Sequence, residues 1–345
     1  MRFRQINSQQ DLFGQLEHSK LLAESTTPLD KLAKIIDFEV FRESLMEALG
    51  YIDKEDKGGN TPFDPVFMFK IVVLQKYYNL SEEQTEFQIK DRFSFMRFLC
   101  ISPGDEVPDK NTIWHFKEKL GSAGVVSLFD RLDELLVAQG IVGKEGVSVD
   151  ASFVDVPRQR NTKEENESIK NGELPEGWED ESVRKLCQKD LDARWTKKNQ
   201  QTHYGYKNHV KMDNATKLIR SWLSSPANEH DSQCFETIIN YGDKEVFADS
   251  AYRSKESMKL LRKLKVKAQI SQKGTRAQKL TKRQEAANRV KSRTRCRVEH
   301  VFGDQSHYGA DTIRTIGMFR AARGIGLGNL VYNLRRLCSM GIPLT

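Results

Sequence analysis

Three carboxylates stand out by where the sequence pattern puts them. Asp150 lies within VSVDASF, residues 147–153, where Val147, Val149, Ala151 and Phe153 alternate with Ser148, Asp150 and Ser152. A period of two predicts a strand with the acid on its polar face. Asp249 closes the short apolar run EVFAD, residues 245–249. Glu299 falls near the end of TKRQEAANRVKSRTRCRVEHVF, residues 281–302. There Ala287, Val290, Thr294, Val298 and Val301 recur every three or four residues, the period of a buried helical stripe. Ser292, Arg295 and Glu299 follow the same spacing on another face, so their side chains can line up.

Three oxygen donors on separate elements suit the cutting or joining of phosphodiesters. That chemistry places charge on the attacking and leaving oxygens, and two divalent cations about 3.5–4 Å apart stabilise both. Hard cations such as Mg²⁺ take carboxylate oxygens and retain several waters. Each acid also has a plainer reading. Glu299 can pair with Arg295 on an exposed helix, and Asp150 can face water on an outer strand. The surroundings favour the chemical reading: from Arg253 to Arg297 there are 17 Lys or Arg against two acids, Glu256 and Glu285. Such a surface offsets phosphate charge and makes binding steeply salt-dependent. Zinc is a poor fit, because Cys296 and His300 with His307 beyond lack a partner pair at ligand spacing. No nucleophile motif surrounds any serine.

The elements that must position these acids fall in two textures. The first third is helical. Thr27-Pro28 is a helix start, residues 65–78 form a largely buried helix, and Ser81 with Gln84 makes a capping box for a helix running to about Leu99. Asn111 or Thr112 caps a short helix ending at Gly121, and a last one spans Val125 to Gln139. Trp114, His115, Lys117 and Lys119 on that short basic helix fit either a DNA-reading helix pair or a solvated face. After Gly146 come strands at 147–153, 204–212 and 217–223, then alternating helices and strands to Ile270. Lys207, His209 and Lys211 share one face of the second strand. Residues 158–200 are rich in Glu, Lys, Asn and Gly and read as a flexible insertion with a short helix near 182–191. This order predicts an α/β fold, a mixed sheet with helices on its faces, behind an all-helical region.

A chain of 345 residues can bury a full core and fits two domains. A net charge of +7 with 30% charged residues agrees with a polyanionic partner. Five cysteines, an odd number without a Cys-x-x-Cys pair, argue for a reducing cytosol rather than a disulfide framework. The start, MRFRQINSQQ, is too polar for a signal peptide, and no apolar run reaches the ~18–20 residues of a membrane span.

VSVDAS, YGYKNHV, ANEHDS, VFADSAY and Arg295-x-x-x-Glu299 together resemble the Asp-Asp-Glu (DDE) transposases of bacterial insertion sequences, nearest the five-type group of the four/five superfamily. LQKYYNLSEEQTEFQIKDRFSFMRFL and VPDKNTIWHF resemble the helical N-terminal region of that group, so the likeness spans roughly residues 60–335. It implies a ribonuclease-H-like, five-stranded mixed sheet, with Asp150, Asp249 and Glu299 as a triad holding two Mg²⁺, or Mn²⁺ in their place. It implies cleavage at terminal inverted repeats, transfer of the 3′-hydroxyl ends into target DNA, a homodimer or larger assembly on double-stranded DNA, and a cytoplasmic, nucleoid-associated bacterial protein with no membrane contact. The alternatives are a DNA-binding relative without catalysis and a metal-dependent nuclease without strand transfer. Lys207, His209, Lys211, Tyr252, Arg253, Arg295 and His300 are the expected DNA-contacting or supporting residues. Relatives often carry a Tyr and a Lys where this chain has Ser292 and Ser306. The expected divisions are 1–62, helical or flexible; 63–143, a helical DNA-binding-type domain; 144–310, the catalytic domain with its insertion at about 158–200; and 311–345, a C-terminal helical segment.

Overall fold

The computed structural model describes residues 26–344 apart from 52–60, 144, 179–185, 199, 240–241 and 275–278. The expectations for residues 1–25 and for the start of a helix at 182–191 lie outside the described residues.

The helical region begins with α1 (Pro28–Ile35), which Thr27 caps in a reciprocal box with Asp30. α2 (Arg42–Ala48) follows, then α3 (Pro65–Tyr77), whose start is fixed by Asp64 accepting from the amides of Val66 and Phe67 at 2.9 and 3.0 Å. The expected capping box of Ser81 and Gln84 is present. The helix it opens stops earlier than expected, however. Arg92 leaves helical geometry and divides it into α4 (Glu82–Asp91) and α5 (Phe93–Leu99). The two helices expected on either side of Gly121 are one element, α6 (Lys110–Ala138), capped by Asp109 and kinked at Gly121 with φ 63°. A side chain there would be strained by that φ and would meet the Phe319 ring at 3.0 Å.

The sheet is built from β1 (Val147–Asp155), β2 (Arg194–Lys198), β3 (Gln201–Asp213), β4 (Ile219–Pro226), β5 (Glu245–Ala248) and β6 (Lys267–Ile270). β3 pairs antiparallel with β1, β2 and β4, while β1–β5 and β5–β6 are parallel. Gly205 pairs with Asp155 of β1 and with Arg194 of β2, so these strands flank opposite edges of β3. β4 continues the β2 edge. A Cβ at Gly205 would lie 2.3 Å from the Val154 carbonyl oxygen, so only glycine lets the strands meet there. The result is a ribonuclease-H-like mixed sheet with six strands rather than five.

The sixth strand, β2, comes from the charged insertion. That segment is built into the fold: it carries α7 (Lys163–Asn171), buries Trp178 and Ile169, and ties to the sheet through Asp190, which accepts from the Tyr206 hydroxyl at 2.8 Å and the Gly317 amide at 3.1 Å. β2 itself is polar and carries no apolar alternation.

The remaining helices are α8 (Phe235–Ile238), α9 (Lys255–Lys263), α10 (Lys282–Arg295), α11 (Glu299–His307) and α12 (Met318–Met340). One core joins α1–α6 to Val210, Met212, Val298, Val301 and the α12 leucines. It runs across the division expected at residue 143. The other sheet face packs Val147, Val149, Val246 and Ala248 on Phe235, Tyr252 and Leu261. No described helix is long and apolar enough to cross a membrane.

Candidate active site

Sheet register brings the two aspartates together. β1 and β5 run parallel, with Val147 opposite Val246 and Ser148 opposite Phe247. Continued two residues, that register sets Asp150 beside Asp249. Strand alternation turns Val147, Val149, Val246 and Ala248 into the core under α8 and α9. Asp150 therefore shares the other face with its antiparallel neighbour Val210, the face roofed by Val298 and Val301. Asp249 leaves β5 in extended geometry and caps the short turn Ser250–Tyr252, accepting from the Ala251 amide at 2.8 Å.

Glu299 arrives from the roof. α10 ends at Arg295, a tight turn spans Cys296–Val298, and Glu299 opens α11. Val298 is fully buried and Arg297 donates to the Asn214 carbonyl at 3.0 Å, which anchors the turn to the sheet. α11 is fixed by a buried amide cluster that the sequence reading missed. Asn208 of β3 exchanges bonds with Asn329 of α12 at 2.8 and 3.0 Å, and Gln305 of α11 donates to Asn329 at 2.6 Å. Only the polar position of Asn208 in YGYKNHVKM hinted at it.

Arg295 lies between the acids. Its Nη1 donates to Asp150 Oδ2 and its Nη2 stands 3.5 Å from Glu299 Oε1. Asp150 also accepts from the Ala151 amide at 2.9 Å. Burial raises the Asp150 carboxyl above the usual carboxylate range and the Asp249 charge adds to this, against the lowering effects of Arg295, the Ala151 bond and Lys198. Lys198, supplied by β2, is a second cation the sequence reading missed.

The expected apolar stripe does not hold α10. None of its residues is buried and Val290 is 64% exposed. Polar bonds dock it instead: Asn288 and Gln272 exchange two bonds of 2.9 Å, and Lys291 donates to the Ile270 carbonyl at 3.1 Å.

The supporting residues divide. Lys207, His209 and Lys211 pair with Phe153, Ala151 and Val149, which places them on the sheet face away from Asp150. They are also enclosed: Lys207 bonds Asp231 at 2.7 Å, Lys211 pairs with Asp243 at 3.1 Å, and His209 is fully buried. Buried ammonium groups need such partners, so these side chains are occupied within the fold and do not meet the expectation of DNA contact. The basic helix residues fare similarly. Lys117 bonds Glu82 at 2.5 Å and Lys119 stacks on Tyr51. Tyr252 is buried beneath the aspartates, and burial raises its hydroxyl well above the ordinary tyrosine range, with Asp231, Asp150 and Asp249 adding to the shift. Arg253 and His300 are exposed, and His300 lines a cavity of about 620 Å³ with Lys31, Lys217, Arg335 and Arg336.

Carboxylate oxygens are the donor chemistry a hard divalent cation takes. Among the described residues no three His, Cys, Asp or Glu side chains are gathered into a ligand cluster. The positive charge between Asp150 and Glu299 is that of the Arg295 guanidinium.

A ribonuclease-H-like mixed sheet behind a helical region, with Asp150 on one central strand, Asp249 just past its neighbour and Glu299 on a later helix, is the arrangement that the resemblance to enzymes acting on DNA leads one to expect. The family described as Transposase DDE domain matches residues 142–334, and the one described as Transposase domain (DUF772) matches residues 16–119. The chain belongs to the Transposase DDE domain family and is a DDE transposase of insertion-sequence type, a class that uses a divalent metal. It is similar at 10% identity to a piggyBac transposase solved as a synaptic complex with hairpin DNA, over 94% of this chain and 78% of that one, with a TM-score of 0.44.

Proposed function

We propose that Asp150, Asp249 and Glu299 are the catalytic triad, and that the protein cuts double-stranded DNA at the terminal inverted repeats of its own element and joins the 3′-hydroxyl ends to target DNA. The observation that carries this is the parallel β1–β5 register, which continued two residues sets Asp150 beside Asp249, together with the Arg295 guanidinium that spans Asp150 and Glu299. The three carboxylates would hold two Mg²⁺, with Mn²⁺ as substitute, which when bound activate the attacking oxygen and stabilise the leaving one. Asp150, on the central strand, is the rigid ligand. Glu299, with 64% of its side chain exposed, is the one free to adjust. Arg295 orients both. The enzyme works as a dimer or larger assembly on DNA in the bacterial cytoplasm, at the nucleoid.

The test is cleavage of duplexes carrying the element's own ends with Mg²⁺. Asp150→Asn, Asp249→Asn and Glu299→Gln each abolish cutting while binding persists. Normal cutting by any one removes that residue from the triad. Products cut but never joined to a target would make the protein a nuclease.

A further inference from the structure

Beside Asp249 the surface opens into a groove of about 620 Å³ lined by Ser250, Arg253, Ser254, Lys255, Met258, Lys259, Arg262, Gln272 and Lys273. Five of these residues are cations and none is an acid. The five are exposed, and among the described residues none stands within ion-pair distance of a carboxylate, although the Lys255 charge acts on the neighbouring Glu256. Some other exposed cations do find one: Lys267 pairs with Glu245 at 2.5 Å and Lys90 with Glu86 at 2.7 Å.

Lys255, Lys259 and Arg262 recur at helical spacing on one face of α9, whose other face buries Ser257 and Leu261. Like charges at that spacing repel and destabilise a helix. The single acid in the first turn, Glu256, does not line the groove. A face that keeps such repulsion is complementary to a polyanion. The groove begins next to the site, since Ser250, one of its lining residues, follows Asp249 directly, although none of the three acids lines it.

We propose that this groove holds the phosphodiester backbone of the substrate DNA strand next to the bond cut at Asp249, with Lys255, Lys259 and Arg262 as positioning residues. The assignment rests on the reading of Asp150, Asp249 and Glu299 as the triad. The Ser250 hydroxyl and the five cations recognise phosphate and leave the bases unread, so the contact contributes affinity and register without sequence preference, while the Ser254 hydroxyl caps α9.

The test compares full-length wild type with the triple variant Lys255→Gln/Lys259→Gln/Arg262→Gln and a charge-matched control, Lys34→Gln/Lys163→Gln/Lys170→Gln. Binding to an element-end duplex is measured against salt in EDTA, where no cleavage is needed, so a wrong triad leaves the readout intact. Three lost phosphate contacts reduce the slope of log K against log salt by about 2–3 and weaken binding on the order of tenfold or more at low salt. The control keeps a slope near wild type, and the thermal midpoint of the triple variant is unchanged or raised. Neutral methylphosphonates beside the cleaved bond weaken wild-type binding and not that of the triple variant. A triple variant with the wild-type slope, a control that loses as much, or methylphosphonates that weaken both proteins equally would overturn the proposal. A wild type that binds no duplex would overturn it together with the DNA reading.

Discussion

Arg295 donates through Nη1 to Asp150 and stands 3.5 Å from Glu299 through Nη2, so a single guanidinium spans two of the three acids. The geometry gives it two opposed effects. It holds the carboxylates in register across the strand and the helix, and it places a positive charge where a divalent ion would compete for the same oxygens.

Arg295→Gln separates those effects. A charge-assisted hydrogen bond contributes about 1.5 kcal/mol, roughly tenfold in affinity. The variant is expected to bind Mn²⁺ about tenfold more tightly, followed by the loss of its free EPR signal on titration, while cleavage falls because Glu299 loses its orienter. Weaker Mn²⁺ binding would show that Arg295 supports the metal rather than competing with it.

Val298 and Val290 test how the helix that leads to Glu299 is held. Val298 is fully buried, and Val298→Ala is expected to destabilise by about 2 kcal/mol through lost burial and a residual cavity. Val290 is 64% exposed, and Val290→Lys should lie within about 0.5 kcal/mol of wild type. Urea unfolding of both variants checks this. Equal losses would restore the apolar stripe that the sequence predicts. Periodicity identifies which positions share a face, and it does not say whether anything covers that face. Among the described residues, none of α10 is buried. The same limit explains Lys207 and Lys211: their shared face was legible, but their partners Asp231 and Asp243 are distant in sequence. What the sequence showed well was local or strictly patterned, such as the Ser81–Gln84 box and the strand that carries Asp150. β2 was invisible because its stability comes from pairing with β3 rather than from an apolar face.

Asn329 is expected to matter more than its distance from the acids implies. Asn329→Leu removes a partner of both Asn208 and Gln305 inside the core and leaves the two amides only their mutual bond of 3.3 Å. Each orphaned buried amide costs about 1–3 kcal/mol, so a loss of about 2–5 kcal/mol is expected in urea unfolding. Cleavage should fall as well, at temperatures where the variant is still folded, because Gln305 no longer fixes α11 and Glu299 with it. A variant that is destabilised but cuts at the wild-type rate would limit the cluster to a structural role.

His209 supplies a pH dependence. Its Nε2 lies 2.8 Å from Ser225 Oγ, its Nδ1 has no hydrogen-bond partner among the described residues, and the ring is fully buried. Burial pushes the imidazole down to about 4, against the raising effect of the Asp231 charge, with Lys207 lowering it further. Above pH 6.5, its ordinary value, both folded and unfolded states carry a neutral ring and His209 contributes no slope. As pH falls from 6.5 towards about 4 the unfolded chain takes up a proton that the fold refuses, and stability is lost through that window. A shift of this size corresponds to up to about 3 kcal/mol. His209→Gln can keep a hydrogen bond to Ser225 and has no proton to gain, so its stability between pH 6.5 and 4 should fall less than that of wild type. Urea midpoints measured across that range decide it, and parallel curves for the two proteins would show that the acid sensitivity arises elsewhere.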